Sequence, residues 1–164
     1  MTFELTHPSR RALLLGLMTS VTAAACVGSN DTTGPTTVEQ TWVANVPLTT
    51  TDLTVGTGAE AVNGARLVVD YYGWLYNAAG TDNKGTLFDT SLRTGAAPFQ
   101  FVLGAGNVIQ GWEQGLPGIK VGGIRRLIVP PALAYGSTGS GSAIPPNATL
   151  VFEVRLNDIL VSAT

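Results

Sequence analysis

The amino-acid sequence predicts an α+β fold, in which a twisted antiparallel sheet of about five strands wraps over one short helix. Between residues 47 and 164, apolar and polar residues mostly alternate, as they do in half-buried strands. A single segment near residues 107–116 instead has apolar residues at helical spacing. No repeat of strand followed by helix occurs, which argues against the α/β folds that bind nucleotides.

Residues 1–25 are predicted to be a signal sequence. Arg10 and Arg11 precede an apolar run at 12–18, and small residues follow it, which is the order that secretory signals share. The apolar run is shorter than the roughly 20 residues that a membrane span needs. The segment around the two arginines also resembles a twin-arginine export signal, so the export route stays open.

Cys26 is the only cysteine of the chain, and three alanines precede it. This segment resembles a bacterial lipobox, although that pattern usually has leucine where Ala23 stands. The resemblance implies an exported protein of the cell envelope or periplasm, anchored to a membrane as a lipoprotein through lipidated Cys26. The alternative is a plain signal cut near Ala25, which leaves Cys26 as an inert thiol.

Residues 26–46 are predicted to be a flexible tether, because they are rich in Thr, Gly, Ser and Asn and offer little to bury. The folded domain is expected at 47–164. Its strand candidates are 51–55, 65–75, 99–103, 122–129 and 149–160, and 77–87 is expected to be a turn-rich loop. No second folded domain or long dimerising helix is visible, so we expect a monomer.

One short amphipathic helix is predicted between the third and fourth of these strands. Its apolar face consists of Val108, Ile109, Trp112 and Leu116. Asn107 is a suitable N-cap, and Pro117 with Gly118 is expected to end the helix.

Composition and motifs exclude several classes of function. The chain has 9 Lys and Arg against 11 Asp and Glu, so binding to nucleic acid is not expected, and the pair Arg125-Arg126 is expected to be a solvated strand edge. The only histidine lies in the leader and the acidic residues are scattered, so we expect no metal and no cofactor. No catalytic triad, domain cysteine or phosphate-binding glycine motif is present. The domain therefore binds without catalysis, or catalyses a reaction that needs no nucleophile.

Six motifs follow one another in the order and spacing of a known family. They are VVDYYG (68–73), LFDTS (87–91), FQFVLG (99–104), VIQGWEQGL (108–116), PPALAYG (130–136) and IPPNATLVFEV (144–154). On these motifs, the chain from about Asp52 to Leu160 resembles an FKBP-type peptidyl-prolyl cis-trans isomerase domain. The resemblance implies an FKBP-like fold, proline-containing polypeptides as substrates and rapamycin-like macrolides as ligands.

The resemblance also assigns roles to individual residues. The catalytic candidates are Asp89, the hydroxyl of Tyr135 and the backbone N–H of Ile109, which would hold and orient the groups around the proline. The substrate-binding candidates are Tyr71, Phe88, Phe99, Val108, Trp112, Ile144 and Phe152. Without the resemblance, these aromatic residues would be interpreted as ordinary core, and Asp89 as a turn or solvent residue.

Three features depart from the family pattern. The segment 77–87 is longer than the usual turn, and adds either a flap or only a surface bulge. The small residues 140–142 replace larger ones, and Ala143 stands where a bulkier apolar residue is usual, which we expect to loosen the grip on substrate. Two functions remain open: an isomerase that assists the folding of exported proteins, or a weakly active or inactive chaperone module that binds proline peptides.

Overall fold

The computed structural model of the protein describes residues 46–160. The predicted signal sequence, Cys26 and all but the last residue of the predicted tether lie outside this range. The secondary structure in chain order is β1 (Thr49–Thr54), β2 (Arg66–Tyr76), β3 (Lys84–Thr90), β4 (Phe99–Val102), α1 (Gln110–Gly115), β5 (Ile124–Val129) and β6 (Leu150–Leu160), with 3₁₀ turns at Thr81–Asn83 and Pro131–Leu133. The predicted fold class is confirmed, with six strands in place of about five.

The six strands form one sheet in the order β1-β5-β6-β2-β3, and β4 also pairs with β2. The longest ladder joins β2 to β6, from Arg66↔Leu160 to Leu75↔Leu150. Because side chains alternate between the two faces of a strand, one face of the central strands turns towards α1 and builds the core. The residues on this inner face include Leu67, Val69, Leu127, Val129, Phe152 and Val154, all of them buried.

Helix α1 lies unusually close to β5, because two glycines face the sheet. A Cβ on Gly111 would lie 2.3 Å from Cγ1 of Val129, and one on Gly115 would lie 2.8 Å from Cδ2 of Leu127. Glycine is a poor helix former, so its presence in a helix of six residues needs a tertiary reason, and this close approach supplies it.

The expectation that Arg125 and Arg126 form a solvated strand edge is wrong, because their side chains are only 12% and 17% exposed. The Arg125 guanidinium donates hydrogen bonds to the carbonyl oxygens of Gly115 (3.0 Å) and Pro117 (2.9 Å), beside its ion pair with Asp52 (2.6 Å). Carbonyl groups at the end of a helix lack intrahelical partners, so Arg125 ties the end of α1 to the sheet.

The ends of the five predicted strands lie within two residues of the observed ones. Two further expectations are corrected. The last four residues of the expected loop 77–87 belong to β3. Helix α1 starts later than predicted: Ile109 is its N-cap residue, with extended backbone, and no side chain caps it. The backbone N–H groups of Gly104 (2.5 Å) and Gly106 (2.9 Å) donate instead to the carboxylate of Glu113, which holds the preceding loop against α1 and leaves Asn107 outside the helix.

Within the residues that the structure describes, no helix is long and apolar enough to cross a membrane.

Candidate active site

A cavity of about 460 Å³ opens between α1 and the inner face of the sheet. This volume lies within the range of about 300–1,000 Å³ that is usual for small-molecule sites. The lining residues are Tyr71, Phe88, Asp89, Phe99, Gly106, Asn107, Val108, Ile109, Trp112, Ala134, Tyr135 and Phe152. Every catalytic and substrate-binding residue named from the sequence is among them except Ile144.

The floor of the cavity is an aromatic cluster centred on Trp112 of α1. Its indole ring makes edge-to-face contacts with Tyr71 (5.3 Å, 81°), Phe152 (5.4 Å, 87°) and Phe99 (6.2 Å, 79°). Such arrangements are favourable beyond the area that they bury. Trp112 and Phe152 are both 4% exposed, so they belong to the core as well as to the cavity, whereas Phe99 lies at the rim.

Phe88 forms a side wall, and a glycine in the neighbouring strand makes room for it. Phe88 packs edge-to-face on Phe152, with ring centroids 5.7 Å apart. A Cβ on Gly73 of β2 would lie 2.7 Å from Cζ of Phe88 and 3.0 Å from Cε1 of Phe152. The motif VVDYYG therefore ends in glycine at a position where any side chain would displace both rings.

The polar part of the site is a carboxylate held by two donors. The hydroxyl of Tyr71 donates to Oδ2 of Asp89 at 2.5 Å, and the guanidinium of Arg93 donates to Oδ1 of the same residue. The side chain of Asp89 is 37% exposed and that of Arg93 is 67% exposed. The sequence analysis did not identify Arg93, because this residue lies in a loop beyond the motif LFDTS. Its position four residues after Asp89 is the feature of the sequence that could have indicated the ion pair.

The backbone of Tyr71 is tied to the end of β3 by residues that were assigned no role. The Thr90 hydroxyl donates to the Tyr71 carbonyl oxygen (2.8 Å), and the Tyr71 N–H donates to Oγ of Ser91 (3.0 Å). The Ser91 hydroxyl donates in turn to Asp70 (3.1 Å), which also accepts a bond from Asn157 (2.6 Å). These bonds hold β3 and Asp89 beside the ring of Tyr71.

Both tyrosines of the cavity keep their hydroxyl protons to unusually high pH. Burial raises the pKa of Tyr71 well above its ordinary value, and the hydrogen bond to Asp89 and the charge of that carboxylate raise it further. Burial, with a smaller contribution from the charge of Asp89, also raises the pKa of Tyr135. Each hydroxyl is therefore a neutral hydrogen-bond donor throughout the physiological pH range.

Ile109, whose backbone N–H is a candidate donor, lines the same cavity. No hydrogen bond within residues 46–160 uses this N–H, whereas the Ile109 carbonyl accepts bonds from Trp112 (2.9 Å) and Glu113 (3.2 Å) in the first turn of α1. This N–H is thus available to a carbonyl oxygen of a bound chain. Gly106, Asn107 and Ala134 also line the cavity, and the sequence analysis had not placed them there.

Ile144 does not line the cavity, contrary to the placement that the resemblance implied. It is 6% exposed and packs in the core, and its N–H and carbonyl oxygen both pair with Ser140, at 3.1 and 2.8 Å. This pairing closes the loop on itself and draws Ile144 inward, while the tip at 141–143 is exposed. No residue of the segment 77–87 lines the cavity either.

The described residues hold no group of three or more His, Cys, Asp or Glu side chains that could bind a metal ion. The indole Nε1 of Trp112 is buried and, within the described part of the chain, has no hydrogen-bond partner, because the side chains around it are apolar. The site thus combines an aromatic cradle with a few donors at its edge.

Comparisons with known proteins agree with this geometry. Residues 58–157 match the family described as FKBP-type peptidyl-prolyl cis-trans isomerase. The chain is 48% identical over 105 residues to an FK506-binding protein of Neisseria meningitidis serogroup A, covering 64% of this chain and 89% of that one. It is 54% identical over 78 residues to FK506-binding protein 1 of Dictyostelium discoideum, covering 48% and 72% of the two chains.

Two solved structures share the FKBP-like fold. The crystal structure of AtFKBP13 matches with a TM-score of 0.59 and 35% identity, over 71% of this chain and 96% of that one. A peptidyl-prolyl cis-trans isomerase from Pseudomonas syringae pv. tomato matches with a TM-score of 0.56 and 36% identity, over 68% and 74%.

Proposed function

The chain belongs to the FKBP-type peptidyl-prolyl cis-trans isomerase family, and on that premise we propose that it accelerates the isomerisation of X–Pro bonds in exported polypeptides. The observation that carries the proposal is the cavity itself. An aromatic floor of Trp112 and Phe152 lies beside an unused backbone donor at Ile109 and the Tyr71–Asp89 pair. An X–Pro unit fits this combination of apolar walls and edge donors.

The proposed mechanism is non-covalent. An X–Pro bond turns slowly, because twisting it breaks amide resonance at a cost of about 18–20 kcal/mol, while both isomers are accessible because the amide is tertiary. The twisted amide has less charge separation than the planar one, so an apolar cavity favours the transition state over the ground state. Catalysis is then differential binding, and each tenfold gain in rate needs about 1.4 kcal/mol.

The edge donors hold the chain on either side of the proline while the bond turns. The N–H of Ile109 donates to a carbonyl oxygen of the substrate, and Tyr135, a residue that is 38% exposed, donates to the substrate through its hydroxyl from the rim. Asp89 orients Tyr71 through a short hydrogen bond. None of these groups exchanges a proton with the substrate, so the reaction needs no acid or base.

The partners follow from the same cavity. We propose proline-containing polypeptides as substrates and rapamycin-like macrolides as competing ligands, bound by a monomer that uses no cofactor. The small residues at the loop tip 141–143 are exposed, and no residue of 140–144 lines the cavity, so this loop offers little grip on a bound chain. This observation also keeps the alternative function, a proline-peptide-binding chaperone with weak turnover, as the second candidate.

A peptide assay tests this function. We expect the purified protein to isomerise a proline tetrapeptide and rapamycin to abolish the turnover. Phe99→Ala should lower kcat/KM about tenfold by removing one wall, because it deletes an aromatic contact surface. The matched control is Leu160→Ala, which truncates a side chain of nearly equal exposure, 40% against 39%, outside the cavity. A folded protein that binds the peptide without turning it over would instead establish the binding module.

The proposed location rests on the sequence before the described residues. We propose that the chain is exported and anchored through a lipid on Cys26, so that the domain acts at a membrane of the cell envelope. In a bacterial host fed a radioactive fatty acid, the protein is expected to be labelled and to sediment with membranes, and Cys26→Ser should lose both properties. An unlabelled, freely soluble wild-type protein would contradict lipidation and support a plain signal cut near Ala25.

A further inference from the structure

The segment 77–83 crosses the face of the sheet that lies opposite the cavity. Oδ2 of Asp82 lies 2.8 Å from the guanidinium of Arg126 in β5. Strands β3 and β5 are separated by β2 and β6, and neighbouring strands lie about 4.8 Å apart, so this contact must pass over the face of the sheet. Arg126 alternates with inward-facing Leu127, which identifies the crossed face as the outer one.

Four charged side chains meet on this outer face, and we name them the outer charge cluster: Asp82, Lys84, Arg126 and Glu153. Glu153 Oε1 lies 2.7 Å from Lys84 Nζ and 2.9 Å from the Arg126 guanidinium, while Asp82 Oδ2 lies 3.7 and 2.8 Å from the same two groups. Each carboxylate therefore contacts both cations, in a closed and neutral ring. Lys84 also lies 4.6 Å above the ring of Trp74 in β2.

The backbone of segment 77–83 forms a hydrogen-bonded turn that places Asp82 in the outer charge cluster. The Asn77 N–H donates to the Asn83 carbonyl oxygen (2.8 Å), and the Asn83 N–H donates to that of Gly80 (3.0 Å). Asp82 and Asn83 both have left-handed backbone, with φ of 58° and 60°, which is uncommon outside glycine. A hydrogen-bonded turn with two such residues is neither a flap over the cavity nor a loose bulge.

Hydrogen bonds between Tyr71 and the residues Thr90 and Ser91 hold the C-terminal end of β3, but the pairing of β3 with β2 before Asp89 is irregular. Strand β3 lies at an edge of the sheet, and its pairing with β2 shifts register between Gly73 and Trp74 and again between Trp74 and Tyr76. Bulges interrupt a ladder and bend the strand, so the hydrogen bonds to β2 hold the part of β3 before Asp89 less firmly than a regular ladder would. Yet β3 carries Phe88 and Asp89, which must face the cavity.

We propose that the outer charge cluster fixes the position of β3, and that Asp82 and Lys84 are positioning residues for the isomerase reaction, acting through Phe88 and Asp89 on the opposite face. The inference rests on the proposed function for its catalytic consequence. Its structural part, the placement of Phe88, is independent of turnover.

The experiment compares Asp82→Asn with a matched control, Asp52→Asn, in the full chain. Both substitutions remove one negative charge from an ion pair with a β5 arginine, and the two aspartates are similarly exposed, 45% and 40%. The readouts are kcat/KM for a proline peptide and the ¹⁹F NMR signal of Phe88. The protein is labelled with 4-fluorophenylalanine at its five phenylalanines, and Phe88→Tyr assigns the signal.

Asp82→Asn is expected to shift or broaden the Phe88 signal and to lower kcat/KM about threefold, in keeping with a partly exposed ion pair. High salt should move the wild-type signal towards that of Asp82→Asn, since salt screens exposed charges. Asp52→Asn should leave the Phe88 signal in place.

An unchanged Phe88 signal in Asp82→Asn and in the wild type at high salt would overturn the proposal, as would equal effects of the two substitutions on that signal. A wild-type protein without turnover would refute the proposed function, while the ¹⁹F signal would still decide whether the outer charge cluster positions β3. If Asp82→Asn does not fold, the salt dependence of the wild-type signal decides the question.

Discussion

Replacement of Asp89 by alanine is expected to lower kcat/KM for a proline peptide by about tenfold or more, because small misplacements of binding groups are costly. Asp89 accepts hydrogen bonds from Tyr71 and Arg93. Without the carboxylate, the Tyr71 hydroxyl loses its acceptor at the edge of an apolar cavity. The ring that contacts Trp112 and Phe99 is then free to turn, and the cavity loses a wall.

The stability of this variant should change much less than its activity. The side chain of Asp89 is 37% exposed, so solvent screens its interactions, and we expect a loss of less than about 1 kcal/mol in the free energy of unfolding. Urea unfolding and peptide kinetics on the same sample separate the two effects.

The control for Asp89→Ala is Asp158→Ala, which makes the same change in net charge at the far end of β6, at an exposed position. Tyr71→Phe, which keeps the ring and removes the donor, should have a smaller effect than Asp89→Ala. Activity of Asp89→Ala within twofold of the wild type would show that the carboxylate has no part in forming the site.

Replacement of Gly111 by alanine is expected to destabilise the fold by about 2 kcal/mol, the usual cost of overpacking a core, although alanine is the better helix former by about 1 kcal/mol. The added methyl group would lie 2.3 Å from Cγ1 of Val129, whereas carbon atoms in contact lie about 3.5–4.0 Å apart. Helix α1 must therefore move away from the sheet.

The same movement should lower turnover by about tenfold or more, because Trp112 and Ile109 adjoin the displaced residue and small misplacements of binding groups are costly. Gln114→Ala, at an exposed position of the same helix, should leave stability and activity near wild-type values. In a Val129→Ala background the cost of Gly111→Ala should fall by about 1 kcal/mol, since the contact that opposes the methyl group is gone. Additive effects of the two substitutions would contradict the packing argument.

The candidate site was predictable to the extent that its residues lie in local motifs. The lining residues Tyr71, Phe99 and Phe152 lie on strands whose alternation sends them to the inner face. Phe88 and Asp89 are adjacent in β3 and share the cavity only because the pairing of β2 with β3 shifts register beside them. Ile144 was misplaced because a motif specifies a position in the chain but not the local pairing with Ser140 that draws this residue into the core. Arg93 was missed because its contact with Asp89 depends on the path of a loop.

What the sequence by itself determined is five of the six strands, the single helix and the aromatic lining, because each of these rests on periodicity or on a motif of contiguous residues. The tertiary structure alone decided three things: why Gly111 and Gly115 stand in a helix, how Arg125 and Arg126 become mostly buried, and where the segment 77–83 lies. The physical reason is common to all three. Each depends on atoms from segments far apart in the chain, such as Gly111 against Val129 and Asp82 against Arg126, and no local pattern records which distant surfaces will meet.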